Sequence, residues 1–284
     1  MHILAATDFS TRSQRAVRRA GLLARSKGAE ITLVHVVDDD QPPELIALET
    51  REAERILGEQ IDAVAELRGI PSRALVVAGD PFDGILRAAA SMGADLIVMG
   101  APRKQLLRDI LVGTTVERVI RTGSVPVLMV NGEVERSYQT ALVPVDLSEP
   151  SMKAIRSGMS LGLPVGARLS IVHAFVPLAK GQMFYSGLSQ ETIDGYVAEE
   201  RIRATKELIA FLKENGLADH GQPVRVEEGT PFEVISNAVE QSSPDVLIMG
   251  THGRSGIAKA LLGSVTEEVL RSLDVDILAV PPTR

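Results

Sequence analysis

The segment MGTHGRSGIAKALLGSV carries Gly250, Gly253, Gly256 and Gly263, followed by the hydroxyl of Ser264, in the spacing G-x2-G-x9-G-S. Glycines let a backbone pass close to a phosphate and adopt positive φ angles that expose successive amide hydrogens. A helix opening at Gly263-Ser264 would also aim its free amides at an anion. Such a site cradles phosphates without net positive charge, and Arg254, with Lys259 further on, could add charge-assisted contacts. The competing reading is a tight strand-to-loop turn with no ligand, because short glycine patterns recur by chance.

Other residues capable of chemistry are sparse. Asp8 and Asp146 each follow an apolar run and precede a helical pattern, which suits a helix cap and equally a ribose or metal contact. His35 and His173 lie inside apolar runs and read as satisfied core histidines, so no metal cluster follows from them. His252 sits in the glycine loop with no sequence neighbour to make it a general base. The run Asp38-Asp39-Asp40 and the arginines of the first helix read as solvated faces. There is no P-loop GKS or GKT and no nucleophile triad, so efficient hydrolysis is not predicted. With Cys 0, thiolate chemistry and cysteine-ligated metal are excluded.

The elements that must position these residues are written twice. ILAATDFS from Ile3 answers ALVPVDLS from Ala141, and ITLVHV from Ile31 answers LSIVHA from Leu169, both at a shift of 138. GDPFDGIL from Gly79 answers GTPFEVIS from Gly229, and ADLIVMG answers PDVLIMG, both at a shift of 150. The twelve-residue difference predicts an insertion between Ala174 and about Arg201, with Phe184 and Tyr185 as part of a lid, a partner surface or loop packing. The polar stretch Asn131 to Gln139 has linker composition, which divides the chain into 1–132 and 139–284.

In the first copy, continuously apolar runs at His2–Ala6, Ile31–Val37, Arg73–Ala78, Asp95–Met99 and Val125–Val130 read as strands covered on both faces. Helical patterns alternate with them: from a Ser10 cap to about Lys27, from Pro43 to Arg68, from Pro81, and after Gly113. The prediction is an α/β protein with two tandem doubly wound five-stranded parallel sheets. Ligands in such sheets bind beyond the carboxyl ends of the strands, where the strand order reverses. The segments that reach that crevice are Ala6-Thr7-Asp8, His35-Val36 and Gly100 in one copy, and Pro144-Val145-Asp146, His173-Ala174 and Gly250 in the other.

Composition narrows the ligands. Trp 0, Tyr 3 and Phe 6 leave few stacking platforms, and a net charge of −7 repels phosphate polymers and anionic membranes, so neither nucleic acid nor membrane is expected as a partner. No apolar stretch approaches the ~18 residues a membrane span needs, and a cytoplasmic location is expected.

In spacing, and in following a strand that ends in MG, the loop resembles the nucleotide loop of the universal stress protein family, G-x2-G-x9-G-(S/T). The resemblance covers nearly the whole chain as two copies, including the first-strand aspartate and the second-strand histidine. It implies a HUP-type fold with flavodoxin-like layering, ATP as ligand, and pairing of the copies through their last strands into an intrachain pseudo-dimer that could associate further as a homodimer. By the same resemblance Pro144, Val145 and Asp146 would line the adenosine, and Ala174 would offer backbone hydrogen bonds to adenine. Gly250 would sit by the ribose with His252 nearby. Gly253, Gly263, Ser264 and Val265 would hold the phosphates, with a divalent ion such as Mg or Mn on the phosphate oxygens.

The first copy departs from this pattern. GAPRKQLLRDILVGTT keeps Gly100, Gly113 and Thr114, but Arg103 replaces the second glycine, Leu106 stands opposite Gly256, and Pro102 replaces His252 and removes an amide donor. The expectation is ATP binding in the second copy, with Thr7, Asp8, Val36, Gly100, Arg103, Gly113 and Thr114 as a degraded second site. A slow ATP hydrolase, and a scaffold binding another metabolite or a partner, are the alternatives.

Overall fold

The computed structural model describes residues 1–102, 113–164, 168–217, 221–253 and 262–282. Arg103, Leu106, Arg254, Gly256 and Lys259 lie outside the described residues.

The first half runs β1 (His2–Ala6), α1 (Thr11–Lys27), β2 (Glu30–Val37), α2 (Pro43–Ala63), β3 (Ser72–Ala78), α3 (Pro81–Met92), β4 (Leu96–Gly100), α4 (Thr115–Thr122) and β5 (Val127–Val130). The second half repeats it as β6 (Ala141–Pro144), α5 (Glu149–Ser160), β7 (Leu169–Phe175), α6 (Lys180–Tyr185), α7 (Gln190–Glu214), β8 (Val224–Glu228), α8 (Pro231–Ser242), β9 (Val246–Gly250), α9 (Ser264–Ser272) and β10 (Asp276–Val280).

Each half forms a parallel five-stranded arrangement, as expected, but the halves share one ten-stranded sheet of order β3-β2-β1-β4-β5-β10-β9-β6-β7-β8. The join is antiparallel, with Ile277 opposite Met129 and Ala279 opposite Val127. Strand alternation builds a core on both faces. Ile3 and Ala5 of β1 belong to one buried cluster with Val17, Leu57 and Leu208, whereas Leu4 and Ala6 belong to the cluster on the other side with Ile85, Val119 and Val269. Both clusters contain residues of both halves, so the core is continuous across the join.

Two boundaries differ from the periodicity by more than one residue. α2 stops at Ala63, because Val64 is extended and a 3-10 turn over Ala65–Leu67 folds back to bury Leu67. This turn packs on α1 at Gly21, where a Cβ would stand 2.8 Å from the Glu66 carbonyl oxygen. β5 starts two residues late, after Pro126, which has no amide to donate to a ladder.

The insertion contains α6 and leads into α7. It is tied to the end of β8 by Lys180 Nζ, 2.6 Å from Glu228 Oε1, and to α7 by the Ala179 amide, which donates to Tyr196 Oη. Phe184 and Tyr185 are 67% and 90% exposed, so packing against the neighbouring helix is not their role.

Candidate functional site

Strand order reverses where β1 lies between β2 and β4, and again where β6 lies between β7 and β9. Each reversal opens a crevice at the carboxyl ends of the strands, the place where open α/β sheets bind ligands.

The turn leaving the first strand of each half is built alike. Phe9 and Leu147 both adopt φ +61°, a left-handed conformation costing roughly 1–2 kcal/mol for a residue with a Cβ. The flanking residues hold this turn in place. Asp8 Oδ1 accepts the Ser10 amide at 3.0 Å, and Asp146 Oδ1 accepts the Ser148 amide at 3.2 Å. Ser10 and Ser148 in turn cap α1 and α5 by accepting from the Ser13 and Ser151 amides. Burial alone would raise the Asp8 pKa, but hydrogen bonds from Ser10 and Ser13 outweigh it and hold the carboxyl below its ordinary range.

The two strand histidines brace these turns. His35 Nδ1 donates to the Thr7 carbonyl at 2.8 Å and His173 Nδ1 to the Val145 carbonyl at 2.6 Å; a carbonyl only accepts, so the proton sits on Nδ1. Both histidines are therefore satisfied structural residues, as their apolar settings suggested.

In the second half the cavity at the strand ends measures about 340 Å³, inside the range of small-molecule sites. Pro144, Val145, Asp146, Ala174, Gly250, His252, Gly253, Gly263, Ser264 and Val265 all line it, so the structure gathers every sequence-predicted residue of this site except Arg254 and Gly256, which are not described. Ser151, Val172, His173, Pro231, Val234, Ile235, Met249 and Thr266 complete the wall. The signal for α8 was the repeat GTPFEVIS, whose first turns contribute Pro231, Val234 and Ile235. Val234 faces the site where the first half has Gly84, and Ala174 stands where the first half has Val36. In the first half a Cβ on Gly84 would press to 2.9 Å on the Val36 methyls, so bulk has moved from strand to helix between the copies.

The glycines act by close approach; positive φ is not their reason. Gly250, Gly253 and Gly263 are absent from the positive-φ residues, and Gly263 has φ −62°. A Cβ on Gly253 would stand 2.9 Å from Asp146 Oδ2, which brings the loop backbone against the aspartate. A Cβ on Gly250 would stand 3.0 Å from the Pro150 carbonyl oxygen, so this glycine also seats α5. The Gly263 amide donates to the Thr251 carbonyl at 2.9 Å and Thr266 Oγ1 to the Gly250 carbonyl at 3.1 Å, which fixes the start of α9 beside the end of β9. Gly263 caps α9 and offers no side-chain acceptor. His252 Nδ1 meets Thr251 Oγ1 at 3.0 Å, and among the described residues its buried Nε2 has no hydrogen-bond partner. Glu267, three residues after Ser264, pairs with Arg271. Among the described residues no three His, Asp or Glu side chains are grouped to hold a metal.

The first crevice encloses about 410 Å³ and is lined by Thr7, Asp8, Val36, Gly100, Gly113 and Thr114, among others; Arg103 is not described. Its helix begins differently. Thr114 caps α4 in a closed capping box: the Glu117 amide donates to Thr114 Oγ1 at 3.3 Å, and Glu117 Oε2 accepts the Thr114 amide at 2.8 Å. Glu117 is 3% exposed. Gly113 has φ +81°, and a Cβ there would also stand 3.0 Å from Glu117 Oε2.

Comparison with known proteins agrees with this architecture. The family model described as the universal stress protein family matches twice, over residues 1–131 and 137–281. Universal stress protein E of Escherichia coli K12 is 27% identical over 223 residues, covering 75% of this chain and 69% of that protein. A universal stress protein of Mycolicibacterium smegmatis is 25% identical over 296 residues, covering 99% of this chain and 97% of its own. The crystal structure of a universal stress protein from Archaeoglobus fulgidus superposes with a TM-score of 0.64 at 21% identity, covering 99% of this chain and 98% of that one, which shows a shared fold. Two matches along one polypeptide, on a fold those relatives share, mean that the chain belongs to the universal stress protein family as a tandem of two family units.

Proposed function

We propose that the chain is a nucleotide-responsive binding module whose second crevice takes ATP. The observation that carries this reading is the approach of Gly253 to Asp146 beside a helix capped by Gly263, within one cavity of about 340 Å³. The residues present fit the group. Val172, Ala174, Val234 and Ile235 form an apolar slot for adenine, and Asp146 accepts from ribose hydroxyls. The first-turn amides of α9 at Ser264 and Val265 face the phosphates, favoured by the helix dipole. Gly256 and Arg254 belong to this set by sequence, and a divalent ion would be carried on the phosphate oxygens. The reading is one of binding and response, in a cytoplasmic protein; among the described residues no helix is long and apolar enough to cross a membrane.

Calorimetric titration of the full chain with MgATP tests it. One ATP per chain is expected. Gly253→Arg should abolish binding and Asp146→Ala should weaken it by about tenfold, as loss of a charged hydrogen-bond acceptor does. Absence of binding to the wild-type chain, or unchanged binding to Gly253→Arg, overturns the reading.

A further inference from the structure

We infer that the sheet edge at β3 is a self-association surface, through which two copies of this chain pair antiparallel about a twofold axis at Leu75. The last strands β5 and β10 are already joined to each other within the chain, so further growth of the sheet must use β3 or β8, its two edges.

The two edges are finished differently. In a parallel pair, alternate residues of an edge strand bond to the neighbouring strand and the others point away from it. The Ile31 amide donates to the Pro71 carbonyl at one end of β3, and the Gly79 amide to the Val37 carbonyl at the other. With Leu33 opposite Ala74 and His35 opposite Val76, the backbone groups of Arg73, Leu75 and Val77 bond to β2, and those of Ser72, Ala74, Val76 and Ala78 turn outward. Arg87 Nη2 donates to the Ala78 carbonyl at 2.9 Å, but among the described residues the outward amides and carbonyls of Ala74 and Val76 have no partner. On β8 the register turns Val224, Val226 and Glu228 outward. There Arg201 Nη1 donates to the Val226 carbonyl at 3.1 Å, in the middle of the edge, and Lys180 pairs with Glu228 beside it.

Sheet edges are ordinarily guarded by charge, proline or cover. β3 contains no proline, and its one charged residue, Arg73, donates from Nε to the Thr32 hydroxyl of β2 at 2.8 Å, which draws its head over the sheet. Ala74 is exposed, and Leu75, Val76 and Val77 are half-buried.

The sequence of the strand suits a second copy of itself. A twofold axis at Leu75 overlays Ser72–Ala78 along its full length and sets Ala74 opposite Val76 of the other copy, in pairs where each free amide meets a free carbonyl. Arg73 then lies opposite Val77, so no like charges meet across the axis. Leu75, Val76 and Val77 gain apolar neighbours. A second copy presenting β8 instead would meet Arg201, and would build an open filament where β3 with β3 closes a pair. The chain already contains one joint of this kind, in the antiparallel pairing of β5 with β10.

The sequence has no cysteine, so one introduced thiol reports the pairing directly. Leu75 would face its own copy in a non-hydrogen-bonded pair, where Cα atoms stand ~4.5 Å apart, within disulfide reach. Full-length Leu75→Cys should give a crosslinked dimer on mild oxidation at micromolar concentration, and Val224→Cys, at the exposed start of β8, should not. Sedimentation velocity should show the wild type as a dimer and Val76→Pro as a monomer of unchanged helix content, since the Val76 amide points away from β2 and an edge tolerates proline there. Should Val76→Pro fail to fold, the two cysteine variants decide alone. A monomeric wild-type chain overturns the inference, whether the edge is then vacant or takes a strand of another protein. A folded Val76→Pro chain that remains dimeric overturns it too, as does crosslinking that is absent at Leu75→Cys or equal at Val224→Cys.

Discussion

Arg271, in the last turn of α9, sets its Nε 2.9 Å from Glu117 Oε1 in α4, an ion pair between helices of opposite halves. The same guanidinium reaches Glu267 Oε1 at 2.7 Å. The equivalent arginine of the first copy, Arg121, has a buried Nε without a hydrogen-bond partner among the described residues, so the pseudo-symmetry of the two copies is broken at this point.

Removing the cation should be felt at Glu117, whose side chain is 4% exposed, more than at Arg271, which is 38% exposed. Arg271→Ala is expected to destabilise the chain by roughly 2 kcal/mol, below the usual cost of breaking a fully buried pair because one partner is half in water. Urea unfolding measures it, and a change under about 0.5 kcal/mol would contradict the assignment.

The glycines ending β4 and β9 should not be equally replaceable. A Cβ on Gly100 would stand 2.6 Å from the Arg12 backbone carbon and oxygen, whereas one on Gly250 would stand 3.0 Å from the nearest Pro150 atom. Gly100→Ala should cost about 3 kcal/mol and Gly250→Ala about 1 kcal/mol, as overpacking scales with the clash that must be relieved. Equal midpoints in parallel denaturation curves would refute the ordering.

Asp276 anchors the linker between the copies. Its Oδ1 accepts the Asn131 and Gly132 amides, both at 2.8 Å, and its Oδ2 accepts Tyr138 Oη at 2.5 Å with Arg19 Nε at 3.4 Å. Burial first, and the Asp276 charge second, push the Tyr138 phenol well above its ordinary pKa. Asp276→Ala orphans these donors and a buried guanidinium, for an expected loss of about 3 kcal/mol. A thermal midpoint close to that of the wild type would sink this account.

Acid should unfasten the same region from its other side. Burial raises the Asp245 pKa, but bonds from the Gln139 and Thr140 amides and the Thr140 hydroxyl, with Arg136 nearby, bring it below its ordinary value. A carboxyl with a depressed folded pKa contributes stability that is complete above the unfolded value of about 3.9 and is lost as pH falls through the folded value. Asp8 has the same sign. The melting temperature should therefore fall as pH drops below about 4, and Asp245→Ala should flatten that fall. An identical pH slope in wild type and variant would exclude Asp245 as a contributor.

Much of this was legible in the residues, and the repeat is why. Two shifts aligned the strand ends, so Asp146, Ala174, Gly250 and Gly263 could be assigned to one crevice before any coordinates. His35 and His173 read as structural from their apolar settings. The state of Glu117 was not legible. Thr114-x-x-Glu117 and Ser264-x-x-Glu267 are the same capping-box pattern at equivalent positions, yet only the first is closed. Glu117 also meets Arg271 across the join, a contact between residues 154 apart in sequence that no local pattern announces. Gly100 and Gly250 could be placed in the walls of their crevices from their position at the strand ends, but their second role, seating the helices α1 and α5 behind them, could not.

The antiparallel pairing of β5 with β10 reverses the strand direction halfway across the sheet. The carboxyl ends of the strands, and with them the two crevices, therefore open toward opposite ends of the molecule, skewed by the ~20–25° twist between successive strands. A flat partner surface can cover one mouth and not the other. The two mouths therefore lie at opposite poles, and whatever fills or covers one leaves the other open to solvent.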